Sequence, residues 1–412
     1  MTGGTYTAKH VRPEKAAARP RPRWTAPALA TGVLLVAAGA VTYLPGAVAG
    51  PGDSGPPTTV PADGGALAGD ALAVCTRASL EDRAALVLVV GLPGVTTADD
   101  PLVQRLARVG VGGVMLRDEN ILDEEQAVDL VNGLRAALGD HLLVAVDDEG
   151  GRVSSMAELD QEIASARRLG QREPRDVEDF GEALGDLAAS VGVDWVLAPV
   201  ADVDDGPASG VIGDRSFGGD PAEVTNSARA FARGLHDAGL AATAKHFPGH
   251  GGSGDPHLGA TVDDTTLATL RAEDLPPFEA LIDDGIEAVM VGHVAYPSVW
   301  GDRPASLEPG AYDLLRELGF DGVAVTDALG MGAVHARFGF DVAPAMAVSA
   351  GADAVLVNQG DQIDVLHDGL VGAVRDGWLD EARLDEAVRR MLELRDEPLD
   401  GIVCAPPDQR AR

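Results

Sequence analysis

Lysine is nearly missing from this sequence. Three occur in 412 residues, at positions 9, 15 and 245, and aromatic residues make up only 4%. Coding bias in a GC-rich genome accounts for both shortages better than any stability argument. The useful consequence is that the body of the chain holds one lysine, Lys245. Cysteine is almost as rare. Cys75 and Cys404 lie near the two ends of the body and allow at most one disulfide, in an oxidising compartment. A Cys75–Cys404 bridge requires the chain ends to meet, as they do in a closed barrel.

Positive charge is the next shortage. The formal net charge is −33, from 32 Lys and Arg against 65 Asp and Glu. Residues 1–23 run the other way, with six cations (Lys9, Arg12, Lys15, Arg19, Arg21, Arg23) and one acid, Glu14, so they carry +5 and the rest carries −38. Such a body repels a phosphate backbone, which excludes broad nucleic-acid binding. Hydrophobic residues at 45% argue against bulk disorder.

Charge of either sign is absent from Trp24 to Gly52. The apolar part, Ala26 to Leu44, is long enough to span a hydrocarbon core. Basic residues before it and acidic residues after it orient the segment with its N-terminus inside. It reads either as a cleaved signal peptide, with Ala47-Val48-Ala49 as the cleavage site, or as an uncleaved membrane anchor. Both put the body outside the cytoplasm, secreted or held at the membrane. The organisation expected is a basic segment over 1–25, the signal or anchor over 26–49, a Gly/Pro/Ser/Thr-rich linker over 50–69, a catalytic barrel over 70–400 and a tail over 401–412.

After the linker, short apolar runs alternate with amphipathic ones. The runs are Ala85–Val90, Gly112–Leu116, Leu142–Val146, Val193–Leu197, Ala241–Ala244, Ala288–Val291, Gly322–Thr326 and Ala354–Val357. Each has the composition of a strand buried on both faces. Helical patterns between and after them include Asp123–Leu138, Pro221–Ala238, Leu267–Asp283, Pro344–Ala350 and Asp380–Leu394. This alternation predicts an α/β fold with a parallel sheet, and eight strands predict a single (β/α)8 TIM-type barrel. The rival open doubly wound sheet lacks its glycine-rich dinucleotide turn.

A barrel enzyme keeps its chemistry at the C-terminal ends of its strands, and here those ends are polar. The third run leads into Asp147-Asp148-Glu149-Gly150-Gly151-Arg152. The fourth leads to Asp202 and on to Asp214-Arg215-Ser216. The fifth ends in Lys245-His246-Phe247-Pro248-Gly249-His250, with Asp255-Pro256-His257 following. His293, Asp327 and Asn358-Gln359 follow the last three. A strand-ending Asp often only caps the next helix, and Asp202 alone suits a structural pair. Their joint placement on one rim is what predicts a polar pocket, because buried charge is costly unless partnered.

At Lys245–His257 together with Asp327 the chain resembles glycoside hydrolase family 3, in its β-N-acetylhexosaminidase branch of the NagZ type. The resemblance runs from about Leu80 to about Leu394. It is carried by Lys-His-Phe-Pro-Gly-His-Gly with a following Asp-x-His, by Val-Thr-Asp-Ala-Leu-x-Met, and by Asp-Glu-Gly-Gly-Arg-Val, Ala-Pro-Val-x-Asp-Val and Ile-Gly-Asp-Arg-Ser-Phe-Gly, in family order. It implies that Asp327 is the nucleophile, His257 the general acid/base and Asp255 its partner. It implies that Asp147, Arg215, Lys245 and His246 hold the sugar, with Arg152, Asp202 and His293 at the rim or in support. No cofactor and no metal are implied. Three departures stand out. The loop from Lys245 to Asp255 is one residue short, Pro256 replaces a common Ser, and Ser155 stands where many members carry a second Arg.

The resemblance implies an exo-acting retaining β-N-acetylglucosaminidase that releases terminal GlcNAc from cell-wall glycans or muropeptides. Phosphorolysis at the same centre remains open, because a His donor tolerates incoming phosphate better than a carboxylate does. A β-glucosidase or β-xylosidase usually has a further domain supplying a Glu acid. A non-catalytic wall-binding barrel would bind GlcNAc sugars without turnover. Zinc on His246, His250, His257, His293 and Asp255 has ligands of the right type but no recognisable spacing. The oligomeric state is not legible in the sequence.

Overall fold

The computed structural model describes residues 74–76, 78–139, 142–159, 164–395 and 403–405. The basic segment, apolar run and linker expected over 1–69, and most of the 401–412 tail, lie outside the described residues. Among the described residues, no helix is long and apolar enough to cross a membrane.

Eight parallel strands form the centre: β1 (Leu88–Gly91), β2 (Gly113–Leu116), β3 (Leu143–Val146), β4 (Trp195–Val196), β5 (Ala241–Phe247), β6 (Ala288–Val291), β7 (Val323–Thr326) and β8 (Val355–Val357). They neighbour one another in chain order from β1 to β7, and β8 pairs with β1. The circle closes between β7 and β8. Val325 bridges Ala354, and the Leu356 N–H donates to Thr326 Oγ1 at 3.1 Å. This is the eight-stranded barrel that the apolar rhythm predicts.

The runs are continuous because both faces of each strand are covered. Successive side chains point to opposite faces. Val89, Met115, Leu143, Ala145, Trp195, Met290 and Leu356 fill the barrel interior as one cluster. Their neighbours Val90, Val114, Val144, Val146 and Val289 join the outer core against the helices. The helices are set by local chemistry. Asp123 accepts from the Gln126 N–H ahead of Glu124–Leu138, and Asp380 accepts from Ala382 ahead of Glu381–Glu393.

Four elements differ from the sequence reading by more than one residue. Ala85 and Leu86 belong to a helix, Leu80–Leu86, and not to the first strand. Ser79 and Asp82 form a reciprocal capping box there, which fixes a helix start that an apolar run alone does not reveal. β4 has two ladder residues where five were expected, and β5 extends three residues further, through Lys245 and His246. The helix expected over Leu267–Asp283 is broken by a π-helical turn at Leu270–Asp274, just before Pro276 and Pro277. Two prolines without N–H donors disturb the regular ladder there. At the chain ends, Val74–Thr76 pairs antiparallel with Val403–Ala405, and Cys75 is opposite Cys404 in the backbone register.

Candidate active site

Asp147 and Glu149 lie on an extended stretch leaving β3. Residues two apart share a face, so both carboxylates turn the same way. Asp148 turns the other way and accepts from Ser154 Oγ (2.8 Å) and Met156 N–H (3.0 Å). Burial raises its pKa to about 6. Gly150 and Gly151, at φ of 77° and 61°, make the hairpin turn that follows. Only glycine adopts such angles freely. Ser155 donates to the Asp147 carbonyl at 2.9 Å and is buried. It secures the backbone of Asp147.

Lys245, at the end of β5, is 1% exposed and lies between two carboxylates, 2.5 Å from Asp147 and 2.6 Å from Glu149. Arg215 grips Glu149 with two parallel bonds of 2.7 and 2.6 Å. Burial alone would raise the pKa of Glu149, but Arg215 and Lys245 outweigh it and hold it below the usual carboxylate range. Burial would lower the pKa of Lys245, and Asp147 and Glu149 overcome that in turn. Glu149, Lys245 and Arg215 therefore favour their charged forms, so that their mutual attraction offsets their desolvation. The sequence reading assigned Asp147 from this motif and missed Glu149. The alternation of faces from Asp147 is the signal that finds it.

Behind the cluster stands Asp202, fully buried. It accepts from His246 N–H (3.1 Å), His250 N–H (2.9 Å) and His246 Nδ1 (2.7 Å). His246 thus donates from Nδ1 and presents Nε2 to Arg215 at 3.3 Å. Arg152 donates to the carbonyls of Gly210, Val211 and Ile212 (2.6, 3.0 and 2.8 Å) and pairs with Asp214 at 2.9 Å. It organises the loop that delivers Arg215.

Asp327 directly follows β7. One oxygen accepts the Ala328 N–H at 2.7 Å. It does not cap the following helix, Gly332–His335, whose N-cap is Met331. Burial favours its protonated form, but His293, His246, the Ala328 N–H and Lys245 outweigh this and hold its pKa at about 2. His293 is buried with both nitrogens engaged, Nδ1 with Ser306 Oγ (2.7 Å) and Nε2 with the Ala328 carbonyl (3.0 Å). Burial pushes its pKa down. A neutral ring donates from Nε2 to Ala328, so the Asp327–Ala328 turn is pinned on two sides.

His257 completes the rim. Asp255 Oδ1 binds both its Nδ1 (2.8 Å) and its backbone N–H (2.9 Å), leaving Nε2 for a ligand. The His257 side chain is 64% exposed. Pro256 costs the loop no needed donor, and its carbonyl accepts from Ala333 N–H at 2.9 Å, tying the loop to the segment beyond Asp327.

A cavity of about 100 Å³ collects these groups. Asp147, Arg215, Lys245, His246, His257 and Asp327 line it, over an apolar floor of Met115, Met290 and Leu356. Of the other residues expected, Asp255, Asp202, Arg152 and His293 do not line it, and each is bonded to the protein around it. His250 and Asn358 also line it, unassigned by the sequence reading. Both ring nitrogens of His250 and Oδ1 of Asn358 are buried without a partner. Phe217, Phe247 and Tyr296 are core residues, and Trp300 stacks edge-on against Tyr296. Among the described residues, no three His, Cys, Asp or Glu side chains are arranged to hold a metal ion.

Against known proteins, the model for the glycosyl hydrolase family 3 N-terminal domain matches residues 81–394. The chain is 38% identical over 330 residues to the β-hexosaminidase LpqI of Mycobacterium tuberculosis, covering 77% of this chain and 83% of that one. Among solved structures, it is similar to a family 3 glycosyl hydrolase from Mycobacterium smegmatis, with a TM-score of 0.72 and 38% identity over 78% of this chain and 98% of that one. A family 3 β-N-acetylglucosaminidase from Paenibacillus sp. is similar at a TM-score of 0.73 and 31% identity, over 78% of this chain and 64% of that one.

Proposed function

The chain belongs to glycosyl hydrolase family 3, and we propose that it is an exo-acting, retaining β-N-acetylglucosaminidase. The observation that carries this reading is one cavity lined by an ionised Asp327 and by His257, whose ring Asp255 holds from behind. In this reading Asp147, Lys245, Arg215 and His246 hold the hydroxyls of the terminal sugar. Asp327 attacks C1 while His257 gives the Nε2 proton to the leaving oxygen, and a glycosyl ester forms on Asp327. His257, now neutral, takes a proton from water as that water attacks C1 and releases the sugar. Asp255 orients the ring through Nδ1, as carboxylates do for histidine elsewhere. The Gly-rich stretch from Gly249 to Gly254 lets the acid approach and withdraw. The relatives named as β-hexosaminidase and β-N-acetylglucosaminidase support GlcNAc as the sugar.

The natural substrate we propose is a terminal GlcNAc on peptidoglycan fragments. The support is the basic, apolar, acidic order of the N-terminus, which argues for a body outside the membrane. In that compartment a Cys75–Cys404 disulfide would clasp the two chain ends, and the backbone register supports the pairing. Two free thiols in non-reducing mass spectrometry would remove it.

The test is an assay of the purified protein on aryl β-GlcNAc and aryl β-glucosides, with and without phosphate. Release of GlcNAc independent of phosphate is expected. Accumulation of sugar 1-phosphate with rising phosphate would make it a phosphorylase. Turnover of glucosides alone would make it a glucosidase, and GlcNAc binding without turnover would make it a wall-binding barrel.

A further inference from the structure

His250 is 3% exposed, and neither ring nitrogen has a partner in the protein. Burying two polar atoms this way is costly unless a ligand satisfies them. Its backbone is not free to relieve the cost. The His250 N–H is bound to Asp202 at 2.9 Å, and a side chain on the next residue, Gly251, would collide with the Val203 carbonyl. The ring is therefore held at the wall of the catalytic cavity.

We infer that His250 reads the substituent on C2 of the bound sugar, the 2-acetamido group. This rests on the hydrolase reading above. The order of side chains along the wall carries it. Arg215 lies 3.3 Å from His246, and the rings of His246 and His250 meet edge-to-face at 5.9 Å between centroids. Asp327 lines the same cavity, and its charge acts on the His250 ring. On the sugar, C1 must face Asp327, and the hydroxyls on the far carbons suit the charged cluster of Asp147, Lys245 and Arg215. C2 is the carbon between those two ends, where the His246–His250 ring pair stands, and of the two only His250 has both ring nitrogens unspent.

The chemistry of the ring agrees. Burial pushes the His250 pKa down, so the ring is neutral. A neutral imidazole offers one N–H and one lone pair. An acetamide presents a carbonyl and an N–H, and it carries no charge for an ion to meet. The charged residues read hydroxyls, and the neutral one reads the amide.

The test compares kcat/KM on aryl β-GlcNAc and aryl β-glucoside for the wild type, His250→Ala and His250→Asn, with each thermal midpoint recorded. In His250→Ala the GlcNAc value should fall roughly tenfold or more, chiefly through KM, and the GlcNAc-to-glucoside ratio should collapse. Asn keeps a donor and an acceptor and should recover part of the ratio. Binding of free GlcNAc and free glucose by calorimetry should show the same split. If the Ala variant does not fold, the Asn variant and the sugar titrations carry the test. An unchanged ratio, or equal losses on both sugars, overturns the assignment of His250. A wild type that turns over glucosides but not GlcNAc overturns the β-N-acetylglucosaminidase reading itself, and the two failures are thereby distinct.

Discussion

Glu149 leaves the C-terminal end of β3, and Asp353 precedes the N-terminal end of β8. Each is shut inside a shell of cations. Asp353 is fully buried, with Arg316 and Arg383 at 2.6 Å and Arg390 at 3.3 Å. It also accepts the Ala324 N–H at 2.9 Å. Its arginines spend further donors on backbone carbonyls, Arg316 on Phe320 and Gly322, Arg383 on Val348, Gly351 and Ala352, and Arg390 on Asp321, and on the carboxylates of Glu386 and Asp321. Around Glu149 the accounting stays open. Lys245 reaches on to Asp147 at the cavity, and His250, Asn358 and one oxygen of Asp327 retain unspent capacity. Size does not separate the two ends. A cavity of about 880 Å³ opens at the N-terminal end, where His236 is paired with Glu287 and Arg390 with Asp321; Arg395, on its wall but outside the Asp353 cluster, donates to the Gly112 carbonyl and keeps Nε and Nη1 without a partner. A buried ion cluster marks a site only when it leaves hydrogen-bonding capacity facing a cavity. A cluster that consumes itself holds helices to the barrel, as expected at the stability face of this fold.

The contrast breaks most easily at Asp327. Asp327→Asn should lower kcat on aryl β-GlcNAc by at least roughly a thousandfold, with an unchanged circular dichroism spectrum and melting curve. Next is Glu149→Gln, which loosens Lys245 and Arg215 together. Misplacing binding groups by an ångström can cost about a hundredfold, so kcat/KM should fall on that scale. Asp353→Asn should do the opposite. Unpairing a buried charge set costs about 3–5 kcal/mol, so denaturant unfolding should shift strongly while kcat per folded molecule holds. Equal effects of the Glu149 and Asp353 variants on kcat/KM would erase the distinction.

A third buried carboxylate sharpens it. Asp274 ends the π-helical turn and packs behind Gly249 of the catalytic loop. Burial, with Asp202, Asp263 and Glu273 nearby, raises its pKa to about 7. Its unfolded value is about 3.9. Below that pH both states are protonated and nothing is lost. As pH rises from about 4 to 7 the unfolded chain ionises first, and stability falls. Asp274→Asn should therefore raise the melting temperature at pH 8 by roughly 2–4 °C and leave it unchanged at pH 4, measured by scanning calorimetry.

What the sequence made legible follows from what each signal reports. Leu142–Val146 reads as a strand to within one residue because both faces of it are buried. Ala85–Val90 misleads because Ala and Leu serve a capped helix equally well, and the Ser79–Asp82 box is a local feature that apolarity does not register. β5 runs on past Ala244 because Lys245 and His246 turn into a polar cavity, which a count of apolar residues treats as a strand end. Strand-end position and family motif together find Asp147, Arg215, Lys245, His246, His257 and Asp327. Glu149 was missed although it stands two residues from Asp147. His250 is visible in the sequence as a strand-end histidine but not as a sugar-binding group, because its unpartnered state depends on how the loop closes over Asp202.

The central claim is that Asp327 forms a covalent bond to the sugar, with His257 moving the proton. Mass spectrometry of His257→Ala treated with an activated aryl β-GlcNAc tests it most directly. The good leaving group allows the first step without the acid, and the missing base slows the second. The account predicts a protein heavier by one sugar residue, with the addition on the peptide that contains Asp327. Rapid turnover with no adduct, or an adduct on another residue, would contradict it.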